Sequence, residues 1–319
     1  MTTPFTDAQA ANSFILAQGR NIEAQIYRRK YPTYNYADIV PVVTEGNQWA
    51  IGTQFFTIDT SGQAKVISGA ANDIPLVSAT KDQGTHDFWM IGAGWEWTLE
   101  EANQAALYNV NLNATKPVEA SDAVERLLYN TAMTGESLKN TLGFVNNSLV
   151  TATDVDADGT GSSTFWTAKT GEQMVDDVND LLSLVRTETG EVEYADTLAL
   201  PPEAMRLLAR KAVDSDKNKS ALMYLRESNI YTAETGQPLR IVAARALSTA
   251  SPDGGGRMVV YRYDPEVIRF HLPMPKQVIP PRQKSLMGWE QATVARTGGV
   301  EIRLPGAMAY GDEILDAPA

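Results

Sequence analysis

Between Trp95 and Gly135 apolar side chains return every three or four residues, and this stretch organises the rest of the chain. Leu99, Ala102, Ala106 and Val110 form one narrow stripe at helical spacing. Thr98 is placed to cap that helix, with Glu101 three residues on to reach back to its amide, and Trp97 stands where a hydrophobic staple begins. Pro117 lacks an amide proton and crowds the preceding turn, so a break or kink is expected between Asn113 and Pro117. A second helix then carries Ala120, Val124, Leu127, Leu128 and Thr131 on one face, and Gly135 stops it. Rising ~1.5 Å per residue, the two runs make a spine several turns long. None of its residues forms a catalytic constellation, and it reads as scaffolding.

Before the spine, Phe14, Ile15, Ile22 and Ile26 predict an amphipathic helix from Thr6 to Tyr31. Pro32 and Pro41 push their predecessors out of helix, so YPTYNYADIVPVVTEG reads as an extended, tyrosine-rich arm. Two runs rich in aromatic and branched residues, Trp49–Asp59 and His86–Trp97, predict strands. The segment between them is small and polar, with glycines at 62, 69 and 84, and has little with which to bury itself on its own chain. Long loops of this kind serve a function or lie on a partner.

After the spine, TLGFVNN (Thr141–Asn147) returns the chain, and VTATDVDADGTGSSTFW reads as a polar loop. Thr170 and Gln173 make a second capping box, opening a helix that buries Met174, Val178, Leu181, Leu182 and Val185. Thr197–Leu200 predicts a short buried strand, PPEAMRLLARKA a helix with prolines in its first turn, and Lys219–Arg226 a further helix. The last third predicts strands at Leu239–Ala244, Met258–Tyr263, Trp289–Thr297 and Val300–Leu304, with turns at SPDGGGR and RTGGVE. The class is α+β, with no βαβ rhythm and no internal repeat.

Composition narrows the classes. The 319 residues are 43% hydrophobic and 21% charged, as in a globular protein. No apolar run is long enough to cross a membrane, and MTTPFTDAQAANSF lacks the features of a secretory signal. The absence of cysteine removes disulfides, thiolate metal sites and cysteine nucleophiles, and fits synthesis in a cytoplasm. The net charge of −12 and pI near 4.7 argue against a phosphate-gripping surface. The densest basic run is only Arg28, Arg29 and Lys30.

Candidate chemistry is thin. Asp154, Asp156, Asp158 and Gly159 match the first half of a calcium loop, but position twelve is Phe165 where a bidentate Glu belongs, so a polar surface loop is expected. His86 and His271 lie in different predicted strands and in no nucleophile motif. Gly254, Gly255 and Gly256 are not followed by the Lys-Ser/Thr of a phosphate loop. The expectation is a protein with no catalytic, cofactor-binding or metal-ligating residues, and hence neither an enzyme nor a cofactor carrier.

Taken in order, FILAQGRNIEAQIYRRKYP with IVPV, DTSGQAKVISGAANDIPLV, WEWTLEEANQAA, LGFVNN, LALPPEAMRLL and GGVEIRLPGAMAYGD span nearly the whole chain. In this combination the chain resembles the major capsid proteins of tailed bacteriophages, which share the Hong Kong 97 fold. The resemblance is nearest to a capsid family long catalogued only as a domain of unknown function. It implies an N-terminal arm (Met1–Gly46) that docks on neighbouring subunits and an extended E-loop hairpin (Asn47–Gly94). It further implies a P-domain (Trp95–Val145 and Arg257–Ala319) with the spine helix and returning strands, and an A-domain (Asn146–Gly256) around the five- and six-fold positions. The fold's namesake joins an E-loop lysine to a P-domain asparagine of a neighbour. Here Lys65 and Lys81 fall in the E-loop, but no asparagine follows Asn229, so no covalent cross-link is expected.

The function so implied is self-assembly into pentamers and hexamers of an icosahedral head shell enclosing double-stranded phage DNA. The protein would be made in the host cytoplasm and located in the virion, with no membrane association. Portal, scaffolding and decoration proteins are the further partners expected. No long charged helical extension precedes the arm, so the scaffold would be a separate protein or a pro-segment outside this sequence. Phe55, Phe56, Trp89 and Trp95 are expected to be largely buried, and Gly52, Gly62, Gly69 and Gly84 to act as joints. An acidic shell would hold its DNA weakly; a tight, salt-sensitive affinity of isolated subunits for DNA would contradict this. The alternatives are an encapsulin-like nanocompartment shell, told apart by cargo enzymes inside it, and, more remotely, an α+β enzyme or binding module.

Overall fold

The five-stranded sheet that divides the molecule has a strand, β8 (Gly256–Tyr261), in which all six residues are buried. Its side chains alternate between two cores: Val259 and Tyr261 enter one, Met258 and Val260 the other. The computed structural model describes residues 34–44, 46–61, 78–101, 112–213 and 219–317. The expected helix over Thr6–Tyr31, with Met1–Thr33 as a whole, lies outside them.

The sheet runs in the order β5 (Thr151–Asp154), β14 (Met308–Leu315), β8, β6 (Thr197–Leu200), β7 (Arg240–Ala243). Against one face lies α3 (Gly171–Glu188), whose Met174, Val178, Leu181, Leu182 and Val185 are buried as its periodicity predicts. Its capping box is formed: the Gln173 amide donates to Thr170 Oγ1 at 3.3 Å and the Thr170 amide to Gln173 Oε1 at 2.8 Å. Between β6 and β7 come α4 (Pro202–Arg210), α5 (Ala221–Glu227) and α6 (Ile230–Thr235), and the two strands are parallel neighbours. The chain therefore contains one strand–helix–strand crossover that the absence of a βαβ rhythm did not predict. With four residues each, β6 and β7 are too short to set up a recognisable period.

The second core surrounds the spine helix, α2 (Leu112–Thr134). Ala120, Val124, Leu128, Thr131 and Ala132 are buried on its inner face. Each fully buried aliphatic side chain there contributes about 1.5–3 kcal/mol. Of the break or kink expected between Asn113 and Pro117, the break is not there: Pro117 lies inside a continuous helix. A proline in a helix costs about 3 kcal/mol, which the burial downstream is large enough to offset. The helix ends as expected at Gly135, in the left-handed region at φ +82°, where a Cβ would lie 2.1 Å from the Thr141 carbonyl oxygen. The Thr98–Glu101 capping box is also formed, at 3.4 and 3.2 Å, and a helix begins at Leu99. Leu99 itself is exposed, and the remainder of its stripe lies outside the described residues.

Beside α2 lies β12 (Gly288–Thr297), paired along its whole length with β4 (Trp89–Thr98). The other edge of β12 takes β10 (Met274–Val278) and β11 (Arg282–Ser285). A small sheet, β1 (Val42–Val43), β9 (Ile268–His271) and β13 (Gly299–Ile302), completes this half. The strands β9, β10, β11 and β14 were not expected. Gln277, Lys276, Arg282 and Lys284 give β10 and β11 no apolar face, so their pairing rests on backbone hydrogen bonds.

Two expectations are corrected near the N-terminus of the described region. The run read as an extended arm contains a helical turn, α1 (Tyr36–Ile39), followed by β1. Residues Tyr34–Val43 make contacts with their own chain. Tyr261 Oη donates to the Ile39 carbonyl at 2.6 Å, Tyr263 Oη to Ala37 at 2.8 Å, and Arg240 to Asp38 at 2.6 Å. Finally, Trp49–Asp59 meets His86–Trp97 only at its root, Gly52 opposite Asp87 and Thr53 opposite His86. Strand β2 (Gly52–Ser61) pairs with β3 (Ser78–Asp87), drawn mostly from the polar run read as loop, while β4 belongs to β12. A ribbon held by backbone hydrogen bonds needs no apolar alternation, so β3 carries no pattern.

Candidate assembly surfaces

The β2–β3 ribbon has ten residue pairs in continuous antiparallel register, Gly52 opposite Asp87 through Ser61 opposite Ser78. Among the described residues these strands pair only with each other. Ten residues of strand span ~33 Å. A two-stranded ribbon is at best marginally stable in water, and gains stability when a further surface covers it. At its root Trp49 is 61% and Ile51 82% exposed. Gly52 is not a joint: it sits inside β2, where a Cβ would lie 2.5 Å from the His86 carbonyl oxygen, so glycine is required there for close strand approach. Gly84 lies within β3 opposite Phe55; Gly62, Gly69 and Lys65 fall outside the described residues, as do the side chains of Phe55, Phe56 and Lys81.

A second exposed apolar group lies where β10, β11 and β12 turn. Leu286 is 92% and Met287 59% exposed, with Val278 and Ile279 also open. Beside them is a hollow of about 550 Å³ walled by Trp95, Ile279 and Pro280 and rimmed by charge. Its ion pairs are Arg282–Glu290 at 2.8 Å and Lys284–Glu96 at 3.1 Å. Trp95 is buried, as expected, with no hydrogen-bond partner for its indole N–H, whereas Trp89 is only half-buried against the core. Clustered exposed apolar side chains of this kind are candidates for contact with another surface.

The acidic run is divided between a strand and an ion pair. Asp154 lies in β5, and the Asp158 carboxylate is 2.9 Å from Lys169 Nζ. Buried Lys169 also donates to both oxygens of Asp177, at 2.7 and 2.8 Å, and the Trp166 indole donates to the same carboxylate at 2.7 Å. Nearby, Lys211 Nζ caps the carbonyls of Trp166, Thr167 and Lys169. Among the described residues no group of three or more carboxylates or imidazoles is placed to hold a metal ion. Nor, among them, is any helix long and apolar enough to cross a membrane. The glycines 254–256 make a turn closing onto β14: a Cβ on Gly255 would lie 2.5 Å from the Leu315 carbonyl oxygen.

The two histidines, set in different strands, are brought together. Their rings lie 5.0 Å apart, with Phe88 5.4 Å from His271. His271 Nε2 donates to Glu301 at 2.6 Å, and His86 Nε2 donates to the Gly298 carbonyl at 2.6 Å. Burial alone would push the Glu301 carboxyl up, but the bonds from His271 and Arg303 outweigh it and hold it at about 2. No spacing in the sequence announces this cluster, because β9 and β13 meet β3 only through the tertiary fold.

A family model described as major capsid protein matches residues 62–314. No curated protein matches the sequence. Among solved structures the chain is similar to the capsid of Myoviridae phage XM1, with a TM-score of 0.77 at 16% identity over 92% of this chain and 97% of the other. It is similar to a structure from Mycobacterium phage Ogopogo (TM-score 0.59, 14% identity, 94% and 98% covered). The capsid of an empty GTA particle is a further likeness (0.58, 13%, 99% and 100%). At such identities the structural likeness speaks for the fold, and the family match over well over half of the sequence speaks for the lineage: the chain belongs to the major capsid protein family.

Proposed function

We propose that this capsid subunit assembles with copies of itself into pentamers and hexamers of an icosahedral phage head around double-stranded DNA. The observation that carries the reading is the β2–β3 ribbon, ten pairs long, in no larger sheet, with exposed Trp49 and Ile51 at its root. Such a ribbon is stabilised when it lies across another subunit, and obligate interfaces of that kind bury about 2,000–5,000 Å². We assign the ribbon to the E-loop and α2 with β4 and β10–β12 to the P-domain. Strands β5–β7 with α3–α6 form the A-domain, and the five-stranded sheet is shared, since β8 and β14 pair with A-domain strands. The role is structural and not catalytic. Portal, scaffolding and decoration proteins are its further partners, and the net charge of −12 keeps direct contact with DNA weak.

Negative-stain microscopy with mass photometry of the purified chain tests the reading. Shells, or discrete pentamers and hexamers, are expected, alone or with a scaffold protein added. A monomer under both conditions would overturn it, and enzyme cargo in place of DNA would make it a nanocompartment shell. Because no asparagine follows Asn229, assembled shells boiled in detergent are expected to run as one 34.8 kDa band. A ladder of multimers would show a covalent cross-link.

A further inference from the structure

The chain's only two histidines meet at the root of the ribbon that reaches outward. His86 is the last residue but one of β3, and its Nε2–H reaches across to the Gly298 carbonyl in the turn between β12 and β13. That turn is shaped to receive it. A Cβ on Gly298 would lie 2.7 Å from Phe88 Cδ1 and 3.0 Å from His86 Cδ2, so only glycine admits the two rings. The turn is tied in turn to His271, whose carbonyl accepts from the Gly298 amide at 3.0 Å and from Thr297 Oγ1 at 2.8 Å. A short chain of bonds thus runs from ribbon to body through His86, Gly298 and His271. Beside it the Phe88 amide donates to the Ile51 carbonyl at 2.7 Å, closing the ribbon's root.

We propose that this histidine pair is a proton-operated latch that holds the ribbon's root against the body at neutral pH and releases it on acidification. With Nε2–H donating to Gly298, the open position for a further proton is Nδ1 of His86. A proton taken there from water gives an imidazolium 5.0 Å from the ring of His271. The charged groups facing the pair are Asp87 on β3, Arg269 on β9, Glu301 on β13 and Arg303 just beyond it. Glu301 binds His271 at 2.6 Å and Arg303 at 3.1 Å, with Arg269 at 4.0 Å. Burial, then His271, lower the His86 pKa below its ordinary 6.5, and outweigh the Gly298 carbonyl, Glu301 and Asp87, which favour the proton. The sign follows. A seat that binds the proton less well than water does is stable above the ring's ordinary pKa and loses its advantage as pH falls through it. Release costs the subunit little elsewhere, because β2 and β3 pair with no other described strand. The latch is a property of the single subunit and stands whether or not the shells proposed above form.

Hydrogen exchange of the full chain, unassembled, tests it at pH 7.5 and pH 5.0 after correction for intrinsic rates. The amides of Phe88 and Gly298 are expected to lose protection on acidification. The loss is about tenfold for each unit by which His86 lies below free histidine. The His86→Gln variant keeps a donor for Gly298 and cannot charge, so its protection is expected to be the same at both pH values. Histidine-labelled protein provides a readout that does not depend on the variant folding, since two ring signals only are expected. One of them should titrate below 6.5, in step with loss of protection. Protection independent of pH, an equal response in His86→Gln, or two rings titrating without any change at the ribbon's root would each overturn the latch.

Discussion

Replacing Arg257 by methionine is expected to cost the subunit about 3–5 kcal/mol. Arg257 on β8 grips both carboxylate oxygens of Asp312 on β14, with Nε at 2.6 Å and Nη2 at 2.7 Å. Its third arm donates to the Val145 carbonyl at 2.6 Å, and its guanidinium lies 4.4 Å over the Tyr310 ring. The Tyr310 hydroxyl donates to the Phe144 carbonyl at 2.6 Å, so together the two side chains hold LGFVNN, the return from the spine, against the five-stranded sheet. Both members of the ion pair are almost wholly buried. The loss arises less from the attraction removed than from leaving Asp312 charged and unpartnered in an apolar surround. Adding Asp312→Leu to Arg257→Met is therefore expected to recover most of it, because an ion pair exchanged for packed apolar groups is often close to neutral. Urea unfolding of unassembled subunits measures both variants. A double variant no more stable than the single one would show that the hold on Val145 and Phe144, not the orphaned charge, carries the effect.

Lys169→Met is expected to cost a similar ~3–5 kcal/mol at neutral pH, and to do so in a pH-dependent way. Lys169 is fully buried between Asp177 and Asp158, and Asp177 is itself buried under Trp166. Burial pushes the Asp177 carboxyl up from 3.8 to about 6, against the bonds from Lys169 and Trp166. A carboxyl raised in the folded state keeps a proton that the unfolded chain has released, so stability falls as pH rises from about 4 through 6. Without Lys169 the rise is larger and the fall deeper. The variant's deficit should thus be small at about pH 3, where the carboxyl is mostly protonated in both states, and full at pH 7. An equal deficit at both pH values would show that Lys169 acts through packing alone.

The elements legible beforehand were those in which local chemistry and burial agree. The two capping boxes, the face of α3, the buried β6, α4 and the stop at Gly135 all rest on residues within one or two helical turns of each other. The misreadings share one cause. Pro117 was weighed by its local cost, yet α2 continues through it because Ala120, Val124 and Leu128 are buried downstream. The polar SATKDQGTHD became a strand because β2 offered it a row of backbone partners. Tyr34–Val43 turned inward because Tyr261, Tyr263 and Arg240, more than 200 residues away, present donors to its carbonyls.

Residue order alone determined the class, the main helices among the described residues and the likeness to a capsid family. Periodicity, capping and composition are local properties and survive without a fold. Only the tertiary structure decided which strands pair, that Lys169 meets Asp158, that Arg257 and Asp312 meet inside the sheet, and that His86 and His271 lie side by side at the ribbon's root. Each of these joins residues far apart in the chain, and the free energy that selects them, burial of apolar faces and the pairing of desolvated charges, exists only once the chain has closed around them.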